Sequence, residues 1–134
     1  MKQTDPEKLA RARKILADLQ EARGGSVMDS HRAMANDPNL INMFLQQYLN
    51  CNKKDISIPK KYCELIVMAI GMATGTETTM KVHANLALKS GATLDEITEV
   101  IRIIFFTCGV TRLLPVLETL SDLLEPISDS DDAN

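Results

Sequence analysis

Apolar residues recur along the chain at the three-to-four-residue spacing of an α-helix, and the two-residue alternation of a half-buried strand is absent. Thr4, Asp5, Pro6 and Glu7 offer a capping box with proline in the first turn, and the charged amphipathic run behind them reaches Ala22 before Gly24-Gly25. A short helix over His31 to Ala35 has Asp29 or Ser30 as its cap. Asp37-Pro38 starts another, with an apolar stripe of Leu40, Met43, Phe44, Leu45 and Tyr48 that fades between Asn50 and Lys54.

Ser57-Ile58-Pro59 opens a helix that is basic at Lys60 and Lys61 and almost wholly apolar from Leu65 to Ala73. A helix apolar on every side is expected to be buried on every side, at the centre of a bundle or at a subunit interface. Thr74-Gly75 breaks it, and Thr76 to Ser90 forms the next, closed by Gly91. Thr93, Leu94, Asp95 and Glu96 make a second capping box, followed by Ile97, Val100, Ile101, Ile104 and Phe105 at helical spacing. Gly109 ends that helix. A last one is predicted from about Val110 to Leu124, with Pro115 as a kink or a later start. The pattern predicts an all-α bundle of six or seven helices: an N-terminal helical extension over 1-34, a helical domain over 35-125, and an acidic tail over 126-134 that has little to bury and is expected to be disordered.

Composition narrows the function classes. A chain of 134 residues with 45% hydrophobic and 25% charged residues is ordinary for one globular domain, and a net charge of -3 leaves no footprint for nucleic acid. The apolar run from Leu65 to Ala73 falls well short of the ~20 residues that a bilayer span needs, and the first residues carry no apolar stretch. The expectation is a cytoplasmic protein without a membrane partner. Cys51, Cys63 and Cys108 form neither a CxxC pair nor a zinc knuckle, and two histidines, His31 and His83, do not make a His-rich site, so no metal and no cofactor is expected.

One constellation carries chemistry: Cys63-Glu64 on the apolar helix, then Thr76, Thr79 and His83, spaced i, i+3, i+7 on one face that begins at a helix N-terminus. Such a start favours negative charge. Plainer readings exist for each residue. Glu64 can pair with Lys60 or Lys61, Thr76 can serve only as an N-cap and Thr79 only as a first-turn residue, and His83 can be a hydrogen-bonded structural histidine. Met68, Met72 and Met80 are core filler, and Cys63 and Cys108 small buried hydrophobes.

The series KYCELIVMAIGMATG and then VHANLALKSGATLDEITEVI, with the histidine nineteen residues after the glutamate, resembles the conserved core of the carboxymuconolactone decarboxylase / alkyl hydroperoxidase D-like superfamily over about residues 35 to 120. The resemblance implies an all-α domain that assembles into a homo-oligomer, trimer or hexamer, with a pocket near the interface. Its peroxidase branch carries Cys-x-x-Cys-x-x-x-His where this chain has Thr76, Thr79 and His83, so the redox pair is missing while His83 and the relay glutamate, Glu64, remain. The decarboxylase branch needs no cysteine. By that resemblance His83 and Glu64 form an acid/base pair acting on a small organic acid or lactone, Thr76 and Thr79 line the site, and Arg112 is the candidate to hold a carboxylate. Two alternatives stay open: a peroxidase-like oxidoreductase working through Cys63 or Cys108, and a non-catalytic oligomeric scaffold whose pocket is filled by side chains such as Met80 and Phe105.

Overall fold

A computed structural model describes residues 1 to 128 and holds seven helices with no strand among them: α1 (Pro6–Ala22), α2 (Asp29–Met34), α3 (Pro38–Asn52), α4 (Lys60–Thr74), α5 (Glu77–Lys89), α6 (Leu94–Cys108) and α7 (Val110–Thr119). The chain divides into two compact units, Met1–Ser57 and the part that begins at Ile58. No described helix is long and apolar enough to cross a membrane.

In the N-terminal unit, α1 packs along α3, and α2 lies against α3. The core is small: Ala12, Ile15 and Leu19 from α1 meet Ala35, Ile41 and Leu45. The cap of α1 is Asp5 and not a box built on Thr4; its carboxylate accepts the N–H groups of Glu7 and Lys8, two of the donors that a helix start leaves unmet. Asp37 does the same for α3 through Asn39 N–H. Neither Asp29 nor Ser30 caps α2. Its cap residue is Met28, whose N–H donates to Nδ1 of the buried His31, so an imidazole takes the part that an acidic or hydroxyl side chain plays elsewhere. Gln3 ties the start of the chain down: its N–H donates to Asn36 Oδ1 at 2.8 Å and its amide to Asn36 O at 3.1 Å.

The second unit is built on the α4–α5 hairpin, with α6 and α7 packed across it. Met68, Met72 and Met80 fill the centre, with Ala84, Ala87, Ile97, Ile101, Ile104 and Val116 around them. The hairpin turns at Gly75, whose left-handed φ of 77° costs a glycine little and other residues more. Close approach comes from Gly71, where an added Cβ would stand 2.9 Å from Thr79 Cγ2 and 3.0 Å from Met80 N. The Thr93–Glu96 box caps α6 as its sequence suggests, and Glu96 also takes an ion pair from Lys61 at 2.8 Å, which fastens the start of α6 to the start of α4.

Three further expectations need correction. Cys63 is half-buried and Cys108 exposed, so neither is a small buried hydrophobe. α4 is not the bundle's centre, buried on every side by its own chain: Glu64, Leu65, Met68 and Met72 face inward, while Tyr62, Ile66 and Ile70, spaced i, i+4, i+8, form an apolar line exposed in the single chain. α7 runs through Pro115 but ends at Thr119, short of Leu124, because the chain tightens there into turns closed on Leu120 O. Of the predicted tail, residues 129 to 134 lie outside the described residues.

Candidate functional site

The α4–α5 hairpin is antiparallel, so residues stepping away from the turn on one helix meet residues stepping away on the other. Gly71 meets Thr79, and farther from the turn Glu64 meets His83. His83 Nδ1 and Glu64 Oε2 are 2.5 Å apart. The other carboxylate oxygen pairs with Lys60 Nζ, one turn earlier on α4. Glu64 therefore serves both partners at once, and Lys61, the other lysine that sequence offered it, is engaged with Glu96 instead.

Exposure separates the roles. The Glu64 side chain keeps 3% of its surface, whereas His83 keeps 28% and Lys60 55%. Burial alone would push the Glu64 carboxyl up, but the hydrogen bonds from Lys60 and His83 outweigh it and hold the carboxyl below the ordinary carboxylate range. An ionised carboxylate only accepts, so Nδ1 of His83 is the donor in this pair. Its Nε2 has no hydrogen-bond partner among the described residues, on a side chain that reaches the surface. The arrangement is an oriented imidazole with one nitrogen fixed by a buried anion and the other available to a ligand.

Thr79 lies one turn nearer the start of α5 than His83. Its methyl packs on Gly71 and its hydroxyl makes no hydrogen bond among the described residues. Thr76 is the N-cap of α5 without a side-chain cap bond; its hydroxyl lies 3.0 Å from that of Thr74. The Arg112 guanidinium rests on Gly75 at the hairpin turn and has no ion pair among the described residues. Gly75 and Glu64 are eleven residues apart, which is about 16 Å of helix. Glu64 and His83 are thus brought together, Thr79 faces Gly71 nearer the turn, and Thr76 and Arg112 stand at the turn itself.

A family model, "Carboxymuconolactone decarboxylase family", matches residues 42–122, which is more than half of the chain and includes all five of these residues. The chain belongs to the carboxymuconolactone decarboxylase family. Searches of curated proteins and of solved structures return no match. Within this family member no thiol stands beside the imidazole: Cys63 Sγ turns to the Ile58 carbonyl at 3.4 Å, Cys108 Sγ lies 3.5 Å from the Thr107 hydroxyl, and both are free, as is Cys51. No group of three or more His, Cys, Asp or Glu among the described residues could hold a metal ion.

Sequence reasoning named Lys60 without its shared partnership and missed the role of His31. Lys60 was weighed only as an alternative to a functional Glu64, yet it binds the carboxylate together with His83. His31 drew notice only as a histidine without metal partners, and its sequence signal is faint: an imidazole at the third position of a helix whose first residues could have capped it themselves.

Proposed function

We propose that this chain is a lyase-type small-molecule enzyme that performs acid/base chemistry on a small organic acid or lactone, with His83 as the proton-transfer group and Glu64 as its partner. The observation that carries this reading is the 2.5 Å pairing of a surface-reaching imidazole with a buried carboxylate that Lys60 keeps anionic. Nε2 of neutral His83 takes a proton from the substrate, and Glu64 stabilises the imidazolium that results. In a decarboxylation the direction reverses. The carbon–carbon bond to the carboxylate breaks, carbon dioxide leaves, the electron pair passes into a conjugated carbonyl, and imidazolium returns a proton to carbon.

Thr79 lines the near wall of the site, and Arg112 with Thr76 binds a carboxylate at the far end. His83 lies seven residues from Thr76, or roughly 10 Å along α5, so this reading selects an extended substrate whose carboxylate and reacting carbon lie at opposite ends. The absence of a thiol beside His83 favours lyase chemistry over a peroxidase cycle.

The enzyme works as a homo-oligomer, trimer or hexamer, in the cytoplasm. What supports assembly is the line of Tyr62, Ile66 and Ile70 on α4 together with Ile103, Phe106, Val110 and Leu114 on α6 and α7, all exposed, with Phe106 at 88%. Monomers seldom leave so many large apolar side chains in water.

The test is turnover of a panel of unsaturated lactone acids. His83→Ala is expected to reduce kcat by about 10²–10⁴-fold while the assembled mass is unchanged. Undiminished turnover in that variant rejects the assignment, and peroxide consumption with a dithiol reductant would move it to the oxidoreductase branch.

A further inference from the structure

Far along the sequence from the Glu64–His83 pair, the N-terminal unit contains a hollow of about 450 Å³ between the first residues, α1 and α2. That volume falls within the roughly 300–1,000 Å³ of small-molecule sites. Its floor is apolar, made by Leu9, Ala12 and Leu16 of α1 and by Ala35. Its walls are cationic: Lys2 from the N-terminal segment, Arg13 from α1 and Arg32 from α2 all line it, and no aspartate or glutamate does. None of the three has an ion pair among the described residues. The Gln3–Asn36 clamp holds the N-terminal segment that contributes Lys2 and Met1, so this wall is built by two hydrogen bonds spanning thirty-three residues of sequence.

We propose that this hollow is a second binding site, taking a small carboxylate with an apolar body such as a medium-chain or aromatic monocarboxylate. Three like charges around an apolar floor repel one another and lack a counter-charge, and an anion supplies it. The floor then decides which anion. Inorganic phosphate or a strongly hydrated polyanion has nothing to bury there, whereas an alkyl or aryl body removes apolar surface from water while its carboxylate meets the arginine forks. A cation of the same shape meets the wrong sign. The site is independent of the acid/base reading and stands or falls without it.

The experiment is titration of the full chain with octanoate, followed by NMR of the Ala12, Ala33 and Ala35 methyl groups. Saturable shifts of these methyls are expected, with octanol weaker by about tenfold or more and octylammonium producing none. The Arg13→Gln/Arg32→Gln variant is expected to weaken octanoate by about the same factor while leaving octanol unchanged. Both arginines are exposed, so the variant tests binding and not folding. The proposal is overturned if octanoate leaves these methyls unmoved, if octanol binds as tightly as octanoate, if the double variant binds octanoate like the parent, or if only an acidic peptide shifts them.

Discussion

The unit that ends at Ser57 and the unit that begins at Ile58 hold one histidine each, and they place it in opposite settings. His31 is 3% exposed, packs its ring 4.8 Å from that of Phe44, and spends Nδ1 on the Met28 N–H. Burial, aided by Arg23, pushes its pKa below the ordinary value of 6.5. His83 reaches the surface, gives Nδ1 to a carboxylate and leaves Nε2 open. One imidazole is a buried structural part that accepts a backbone N–H, and the other is oriented by a carboxylate with Nε2 unpaired among the described residues. The same side chain takes opposite settings according to whether an anion or a backbone N–H stands at Nδ1, and only in the second unit does it reach the surface.

The largest effect that would sharpen this contrast concerns the outer surfaces of the two units. Few large apolar side chains of the N-terminal unit face water, whereas the second unit exposes a larger set on α4, α6 and α7. Ile70→Asp combined with Phe106→Asp is expected to leave the proposed oligomer as monomers with helix content preserved, as read by light scattering and circular dichroism. An unchanged mass would place the interface elsewhere. Next in size, His31→Ala is expected to cost about 2–3 kcal/mol of stability, through the unmet Met28 N–H and the lost packing on Phe44. The corresponding loss for His83→Ala is expected to stay below about 1 kcal/mol, since its side chain is already partly in water. Urea titrations of both variants measure the two, and equal losses would erase the distinction.

The helices were legible because capping residues and breakers agree with the apolar period in nearly every element: Asp37-Pro38 before α3, Gly75 between α4 and α5, the Thr93–Glu96 box before α6. The Glu64–His83 pair was implied by the family resemblance, and the antiparallel hairpin is what brings the two together. What could not be read was which side of an all-apolar helix faces its own chain, because composition does not distinguish a core face from an interface. Which of Lys60 and Lys61 takes Glu64 also stayed open, since neighbours in sequence project to different partners and only the placement of α6 sends Lys61 to Glu96. Nor does any pattern announce a histidine that caps a helix.

A smaller contrast lies in pH. The folded pKa of His31 is depressed, so its contribution is fully present above about pH 6.5 and is lost as pH falls toward the folded value. Glu64 is also depressed, but from the carboxylate value of 4.5, so its contribution is present above that pH and is lost only in stronger acid. Amide protection around α2 and α3, taken relative to the intrinsic exchange rate at each pH, is therefore expected to fall as the pH drops below 6.5, before any change around α4 and α5. Simultaneous loosening would show that His31 does not control the N-terminal unit. Smallest of all, Asp5→Ala should cost about 1 kcal/mol because two N–H groups lose their acceptor. Thr76→Ala, which removes no cap bond, should stay within about 0.5 kcal/mol.

Gly71 gives the hairpin a form of remote control. It touches neither Glu64 nor His83, yet the absence of a side chain there lets α5 approach α4 closely, and that spacing lets the two groups meet two turns away. A methyl group at this point would act as a wedge at the turn end of a two-armed lever, opening the gap between carboxylate and imidazole without altering either one. The closeness of the carboxylate–imidazole contact is thereby adjustable from a position that carries no polar side chain of its own.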